Sequence, residues 1–261
     1  MTLNNNLSIL PFYKVTTENP TPMECEKWWS YSRVWPLINN TIPPFQIAGT
    51  VGRCAVRPYE PNTEGGFSFQ PSRSKYIDSQ IYSWYPYGGV ISNRGRFYIE
   101  TTIDGEPAVS DVFTIVGTLL PYLKLEWWDD NDFIMDDGAI IYTSSLGVND
   151  YKNILYLPVD LAKPSYEFEE EGENRDGYFF PIKQISYKRF RFSILAPEYI
   201  CDIMRFIRLS DHIRITYRGQ VYNADTFLIT PNWEAEGDLA RVECEFTTNT
   251  VAKKIGRLIT P

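Results

Sequence analysis

Hydrophobic and polar residues alternate most clearly in the C-terminal third of the chain. In the segment KRFRFSIL, Phe190, Phe192 and Ile194 fall on one face of an extended chain, and Arg191 and Ser193 fall on the other. A period of two is typical of a strand with one buried face. The segments HIRITYRG, DTFLITP and RVECEF repeat this alternation, so each of them is predicted to be a further strand.

One helix is predicted between the first of these strands and the next. It runs from about Pro197 to Leu209, because proline suits a first helical turn and the Glu198 carboxylate complements the helix dipole there. Four apolar residues then share one stripe at helical spacing: Ile200, Ile203, Met204 and Ile207. A strand, a helix and three strands in this order predict an antiparallel sheet closed by a single helix.

The middle of the chain also has the period of a sheet. In RFYIETTI, Phe97, Ile99 and Ile103 alternate with other residues, and Asp104 with Gly105 is a typical hairpin turn. Further strands are predicted in VFTIV, YLKLEWW, AIIYT and ILYLPV. By contrast, YEFEEEGENRDGY combines a run of charges with two glycines and is predicted to be a long exposed loop.

The N-terminal part of the chain has a different character. The apolar segment LSILPFY is interrupted by proline, and a short helix is predicted at about Glu24 to Arg33. The complete pattern predicts an all-β protein, mainly an antiparallel sandwich or barrel, with one principal helix. We expect four divisions, namely an extended arm, a β-rich region, a second β-rich region with the helix, and a tail: residues 1–45, 46–181, 182–250 and 251–261.

Composition narrows the classes of function. The 261 residues are 43% hydrophobic and 22% charged, which excludes global disorder. The formal net charge of −8 argues against a protein that wraps DNA or lies on an anionic membrane. No leader-like segment opens the sequence and no apolar run reaches the length of a membrane span, so we expect neither secretion nor a transmembrane helix.

Metal and nucleophile chemistry find little support in the sequence. The four cysteines are far apart and form no CxxC pair, so buried reduced thiols are expected rather than a zinc site: Cys25, Cys54, Cys201 and Cys244. The sequence has one histidine, His212, and no GxSxG motif that would supply a serine nucleophile for it to activate. The segment GVISNRGR lacks a nucleotide-binding pattern. We therefore expect no enzyme activity, no catalytic residue, no metal and no cofactor.

The acidic segment from Glu126 to Gly138 leaves several interpretations open. An EF-hand needs glycine at its sixth position and glutamate at its twelfth, and the count from Asp130 or Asp132 gives neither. A hairpin tip that turns at Asp136, Asp137 and Gly138 is the favoured interpretation, with an irregular calcium site as an alternative. The alternative function is a carbohydrate-binding module or glycosidase, in which Trp127 and Trp128 would form a sugar platform beside the carboxylates.

A resemblance points to a more specific role. The run FRFSILAPEYICDIMRFIRLSDHIRITYRG, followed by TFLITPNWEAEGDLARVECEF and TTNTVAKKIG, resembles structural proteins of tailed bacteriophages, in particular those of phages and prophages of gut Bacteroidetes. It covers about Leu119 to Gly256, and the implied single-helix sandwich is similar to the tail-tube and distal-tail fold.

The resemblance implies a non-enzymatic subunit of a tail tube, distal tail, tail hub or connector. Such a subunit would form a homo-oligomeric ring, with a hexamer and a dodecamer as the candidates, around DNA that passes only as cargo. Its other partners would be neighbouring tail or connector proteins, with no membrane. Its location would be the virion, after assembly in the bacterial cytoplasm.

The candidate subunit interface combines apolar and basic residues. Four arginines gather around the predicted helix and the following strand, where an ion-pair surface between subunits is favoured over a phosphate site: Arg205, Arg208, Arg214 and Arg218. The arm either packs on a neighbouring subunit or folds back on its own domain. The predicted interface residues are Leu7, Ile9, Leu10, Phe12, Trp28, Trp29, Arg205, Arg208, Leu258 and Ile259.

Overall fold

A computed structural model shows a protein built mainly from antiparallel sheets. It describes residues 9–16, 33–36, 42–60, 62–70, 73–77, 80–85, 91, 93–117, 122–130, 133–134, 140–141, 152–233, 239–248 and 252–255. Among these residues the fold is 65% strand and 7% helical, with a single short helix near the C-terminus, which confirms the predicted all-β class. The sheets do not close into a barrel, so the open form is the correct one of the two predicted.

The first large sheet has seven strands in the N-terminal half of the chain. Its main path runs β1-β9-β8-β10-β2, and β4 pairs with β8 and β5. All of these pairs are antiparallel except that of β10 with β2. The strands are β1 (Phe12–Lys14), β2 (Arg33–Pro36), β4 (Cys54–Pro58), β5 (Phe67–Phe69), β8 (Gly95–Ile103), β9 (Glu106–Ser110) and β10 (Phe113–Val116).

The second large sheet has eight strands and contains the C-terminal third of the chain. Its path runs β14-β11-β17-β18-β19-β16-β15, and β20 pairs with β16. The strands are β11 (Leu123–Trp128), β14 (Asn153–Leu157), β15 (Ser165–Arg175), β16 (Tyr178–Pro197), β17 (His212–Tyr217), β18 (Gln220–Trp233), β19 (Leu239–Thr248) and β20 (Ala252–Ile255). Two small sheets complete the fold, and they contain β3 (Phe45–Ala48), β6 (Arg73–Ile77) and β7 (Gln80–Tyr85), and β12 (Phe133–Ile134) and β13 (Ile140–Ile141).

The helix lies where the sequence predicts it. Helix α1 (Glu198–Arg205) follows Pro197 and continues as a 3₁₀ turn (Phe206–Leu209). Its four predicted core residues are all buried against the second sheet: Ile200, Ile203, Met204 and Ile207. No helix in the described ranges is long and apolar enough to cross a membrane.

Two hydrophobic clusters form the core, and strand β14 contributes to both. Leu155 and Leu157 belong to the cluster of the second sheet, whereas Ile154 and Tyr156 belong to the cluster of the first. Successive side chains of a strand point to opposite faces, so β14 is buried on both sides. The strand therefore joins the two halves of the core.

The N-terminal segment folds back on its own chain. Ile9, Leu10 and Phe12 are buried, and β1 pairs with β9. The Phe12 ring packs 5.0 Å from the Phe45 ring, and Lys14 pairs with Glu106 at 2.7 Å. The expectation that the arm leaves Ile9, Leu10 and Phe12 free for a neighbouring subunit is wrong here, because the sheet edge supplies backbone partners that the sequence does not reveal.

One further expectation differs from the structure. Residues 166–178, predicted as an exposed loop, belong to a long hairpin formed by β15 and β16. The helix predicted at 24–33 lies outside the described residues except for Arg33, which begins strand β2. The predicted division at 181/182 falls inside β16, and the domain boundaries stay a prediction.

Truncation of Leu10 tests the folded-back arm. We expect Leu10→Ala to lower the free energy of unfolding by about 2–5 kcal/mol, because it removes a fully buried side chain and leaves a cavity. Urea denaturation measures this change. Val221→Ala, at an exposed position, is the control and should change the free energy by less than about 0.5 kcal/mol. Equal effects of the two substitutions would contradict burial of the arm.

Candidate interaction surface

The long hairpin of β15 and β16 is the main exposed feature of the second sheet. Its turn consists of Asp176 and Gly177, with φ values of 52° and 81°. Two positive φ values in succession are typical of the tight turn that favours Asp-Gly between antiparallel strands. Gly172 and Pro181 face each other at a bulge, where the proline lacks an N–H to donate. The glycines therefore serve a hairpin and not a loop.

The outer part of the hairpin extends beyond the body of the sheet. Within the described strands, β19 pairs with β16 from Arg189 to Pro197, and β20 pairs with Lys183 to Ser186. The eleven residues of β15 span roughly 36 Å at about 3.3 Å per residue. Much of this length is a ribbon of two or three strands, which cannot bury both of its faces by itself.

Large apolar side chains lie exposed on this ribbon. Tyr166 is 61% exposed, Phe168 71%, Tyr178 71% and Phe179 50%. Tyr166 and Phe168 pair with Lys188 and Ser186, so they continue the face that carries the buried core residues of β16. Phe179 lies opposite Asn174 on the same face, whereas Tyr178 next to it points to the other face. The face also carries polar side chains, namely those of Lys188, Ser186, Gln184 and Glu170. Exposed aromatic side chains grouped in this way mark interaction sites.

The opposite face of the hairpin base carries a charged network, defined as Glu167, Tyr187, Arg189, Arg191 and Glu245. The Tyr187 hydroxyl donates to Glu167 at 2.9 Å, and this hydrogen bond is the main reason that the Tyr187 pKa is raised. Arg189 pairs with Glu167 at 2.6 Å and with Glu245 at 3.1 Å, and Arg191 pairs with Glu245 at 2.7 Å. These contacts connect β15, β16 and β19 and fix the direction of the hairpin.

A groove of about 560 Å³ lies beside this network. Ile185 and Leu228 give it apolar walls, and Thr226 and Thr247 give it hydroxyl groups. Arg208 reaches it from the 3₁₀ turn and makes no ion pair within the described part of the chain. The groove is therefore half apolar and half polar, with one cation available at its wall.

The predicted arginine surface has several local environments. Arg205 lies 3.8 Å from Asp202 and over the Phe206 ring, and Arg208 lines the groove. Arg214 lies over the Trp128 ring, and Arg218 pairs with Asp160 at 3.1 Å. The remaining predicted interface residues lie outside the described ranges: Leu7, Trp28, Trp29, Leu258 and Ile259.

The sugar platform of Trp127 and Trp128 is wrong. Trp127 is buried in the core, because adjacent residues of a strand point to opposite faces. Trp128 is half-buried, and its ring is stacked with His212 at 5.2 Å between centroids. The Lys152 ammonium lies 4.3 Å from the centre of the same ring. Neighbouring side chains of the same chain thus occupy this aromatic surface.

The described carboxylates of the acidic segment have partners within the chain. Glu126 pairs with Lys124 at 2.8 Å, and Asp129 accepts from the Asp211 backbone N–H at 2.6 Å. Asp130 lies 3.0 Å from His212, a pair separated by 82 residues that no local pattern indicates. Among the residues described, no group of three or more potential ligands could hold a metal ion.

The predicted hairpin of this segment is supported at its stem. Strands β12 and β13 pair antiparallel, with Phe133 opposite Ile141 and Ile134 opposite Ile140. The predicted turn at 136–138 lies outside the described residues. The buried-thiol prediction is confirmed for Cys54, Cys201 and Cys244, and Cys25 lies outside the described residues.

Comparison with known proteins adds no relative. No protein-family model matches the chain, and no curated protein matches it.

Removal of the Glu245 charge tests the network at the hairpin base. We expect Glu245→Gln to lower the free energy of unfolding by about 1–2 kcal/mol, because two arginines lose an ionised partner that is only partly exposed to solvent. The control is Glu243→Gln, which changes an exposed carboxylate two residues earlier on the same face. Urea denaturation compares the two variants, and equal stabilities would refute the role of the network.

Alkaline pH tests the burial of Cys201. Burial raises the pKa of this thiol to about 11, and the nearby Asp202 carboxylate adds to the rise. The unfolded thiol ionises near pH 9.0, so the unfolded state gains thiolate first. The stability that this group contributes is complete below pH 9 and is lost between about pH 9 and 11. Urea denaturation across this range should show that the stability difference between wild type and Cys201→Ala narrows as pH rises. A stability difference between the two proteins that stays constant with pH would contradict the burial of Cys201.

Proposed function

We propose that the chain is a non-enzymatic structural subunit that assembles with copies of itself into a ring, as part of a phage tail or connector. The resemblance of its C-terminal region to phage tail proteins supports the part of the proposal that places it in a tail or connector. The exposed aromatic side chains of the long hairpin are the observation that carries the proposal. A ring around passing DNA would also suit a subunit with a formal net charge of −8.

The hairpin surface has the composition of an interface. Tyrosine and phenylalanine are enriched at protein interfaces, and fully burying a large apolar side chain is worth roughly 1.5–3 kcal/mol. Tyr166, Phe168 and Phe179 share one face and together offer several kcal/mol, less the cost of association. The network at the hairpin base holds the ribbon in place before binding, which lowers the cost of ordering it.

The proposal places the partners of the chain within a virion. These are other copies of the chain and neighbouring tail or connector proteins, with DNA only as cargo and no membrane. The sugar-binding alternative has lost the paired tryptophans on which it depended, because Trp127 is buried.

The test is the assembly state of the purified full-length chain, measured by mass photometry and negative-stain microscopy. We expect ring-shaped homo-oligomers for wild type. The double variant Tyr166→Thr/Phe168→Thr should shift the protein toward monomer by at least tenfold in the concentration needed for assembly. Threonine keeps the β propensity of these positions while removing the aromatic rings.

The matched control is Val221→Thr, which changes an exposed apolar residue on β18, away from the hairpin. It should assemble like wild type, with a similar circular dichroism spectrum. A wild-type protein that stays monomeric throughout the micromolar range would overturn the proposal. Unchanged assembly of the double variant would remove the hairpin from it.

A further inference from the structure

We propose that copies of the chain join head to tail, with the acidic outer half of one hairpin against the arginines of the 3₁₀ turn of the next copy. This inference rests on the proposed function, since it requires self-assembly. It assigns the second surface of the contact and excludes a two-fold pairing of hairpins.

The hairpin edge argues against a two-fold contact. Strand β15 is the terminal strand of its sheet and has no second strand partner among the described residues. It carries five glutamates within eleven residues: Glu167, Glu169, Glu170, Glu171 and Glu173. Two such edges that met antiparallel would place like charges opposite each other, which is destabilising. A row of carboxylates on an edge strand thus disfavours its pairing with a second copy of itself.

The outer half of the edge keeps much of its charge available. Glu167 is neutralised by Arg189 within the network. Glu170 accepts a hydrogen bond from the Gln184 amide at 2.8 Å, and this partner carries no positive charge. Glu171 is exposed and lies opposite Lys183 in the hairpin register. Glu170 shares the face of Phe168 and Glu171 points to the other face, so the outer edge carries a carboxylate on each face beside exposed aromatic residues.

The end of the helix presents the complementary character. Arg205 and Arg208 are exposed and lie three residues apart, and Leu209 beside them is also exposed. Arg205 lies over the Phe206 ring and makes a long contact of 3.8 Å with Asp202, and Arg208 makes no ion pair within the described ranges. The surface is apolar and basic, and Arg208 extends it into the groove beside Leu228. Asp225 and Glu169 also line the groove, and their carboxylates would repel an acidic partner there. The acidic edge of the next copy is therefore proposed to contact the two arginines outside the groove, on the side of the helix.

In the proposed contact each copy gives its hairpin to one neighbour and its helix end to the other, so the contact is heterologous, whereas a reciprocal contact across a two-fold would stop at a dimer. A heterologous contact repeats from copy to copy, and it closes into a ring when the rotation allows closure. An apolar contact with opposite charges at its margin also fixes the register between copies. The carboxylates of the edge would then have two effects. They would repel the hairpin edge of another copy, and they would attract Arg205 and Arg208 of the next copy.

The experiment reverses each set of charges in the full chain and then combines them. Arg205→Glu/Arg208→Glu and Glu170→Arg/Glu171→Arg should each raise the concentration needed for assembly at least tenfold in mass photometry. The fourfold variant should recover to within about threefold of wild type. The control Arg53→Glu/Lys163→Glu makes the same charge change at exposed positions elsewhere and should leave assembly unchanged.

The outcomes separate this inference from the proposed function. Loss of assembly in Tyr166→Thr/Phe168→Thr with no effect of the arginine reversal would overturn the head-to-tail contact and leave the proposed function standing. Disruption by both reversals without recovery in the fourfold variant would also overturn it. A monomeric wild type would overturn both. If a reversal variant fails to fold by circular dichroism, Glu170→Gln/Glu171→Gln and the salt dependence of wild-type assembly test the same contact. Assembly must then weaken in the glutamine variant and at high salt, and unchanged assembly refutes the inference.

Discussion

The fold depends on strand β14, which is buried on both faces between the two hydrophobic clusters. Ile154 and Tyr156 pack with the first sheet, and Leu155 and Leu157 pack with the second. The adjacent face of β11 carries the Lys124–Glu126 pair, and Lys124 lies 6.0 Å from the centre of the Tyr156 ring. Polar groups with so little access to water require partners. The contact between the two halves of the core is thus apolar at its centre, and the polar side chains at its margin have charged or aromatic partners.

Much of the second sheet could be predicted from the sequence, because its strands have one buried face. Phe190, Phe192 and Ile194 are buried as their alternation indicates, and the stripe on α1 faces the sheet as its spacing indicates. Strand β14 has no alternation to read, since both faces are buried. It is recognisable as a strand from its apolar run, but its role between two cores depends on contacts that are distant in sequence.

The hairpin and the candidate surface were harder to predict for a physical reason. A run of glutamates reduces strand propensity, and two glycines suggest a loop, yet the network with Tyr187, Arg189 and Glu245 holds the ribbon as a sheet. The position of Tyr166 opposite Lys188 depends on the strand register of the hairpin, which the sequence pattern does not show. The arginines of the 3₁₀ turn could be located from the helix pattern, but the groove at Arg208 could not.

The burial of Ile9 has a consequence for the order of folding. This residue belongs to a cluster whose other members lie between Leu123 and Phe246, so its partners are synthesised more than a hundred residues later. Its neighbour Leu10 belongs to the other cluster, whose members end at Tyr156. Contacts of such long sequence separation form slowly, since loop closure precedes any gain from packing. On the ribosome, Leu10 can therefore be buried once the chain up to Tyr156 has emerged, whereas Ile9 completes its contacts only after Phe246 has emerged.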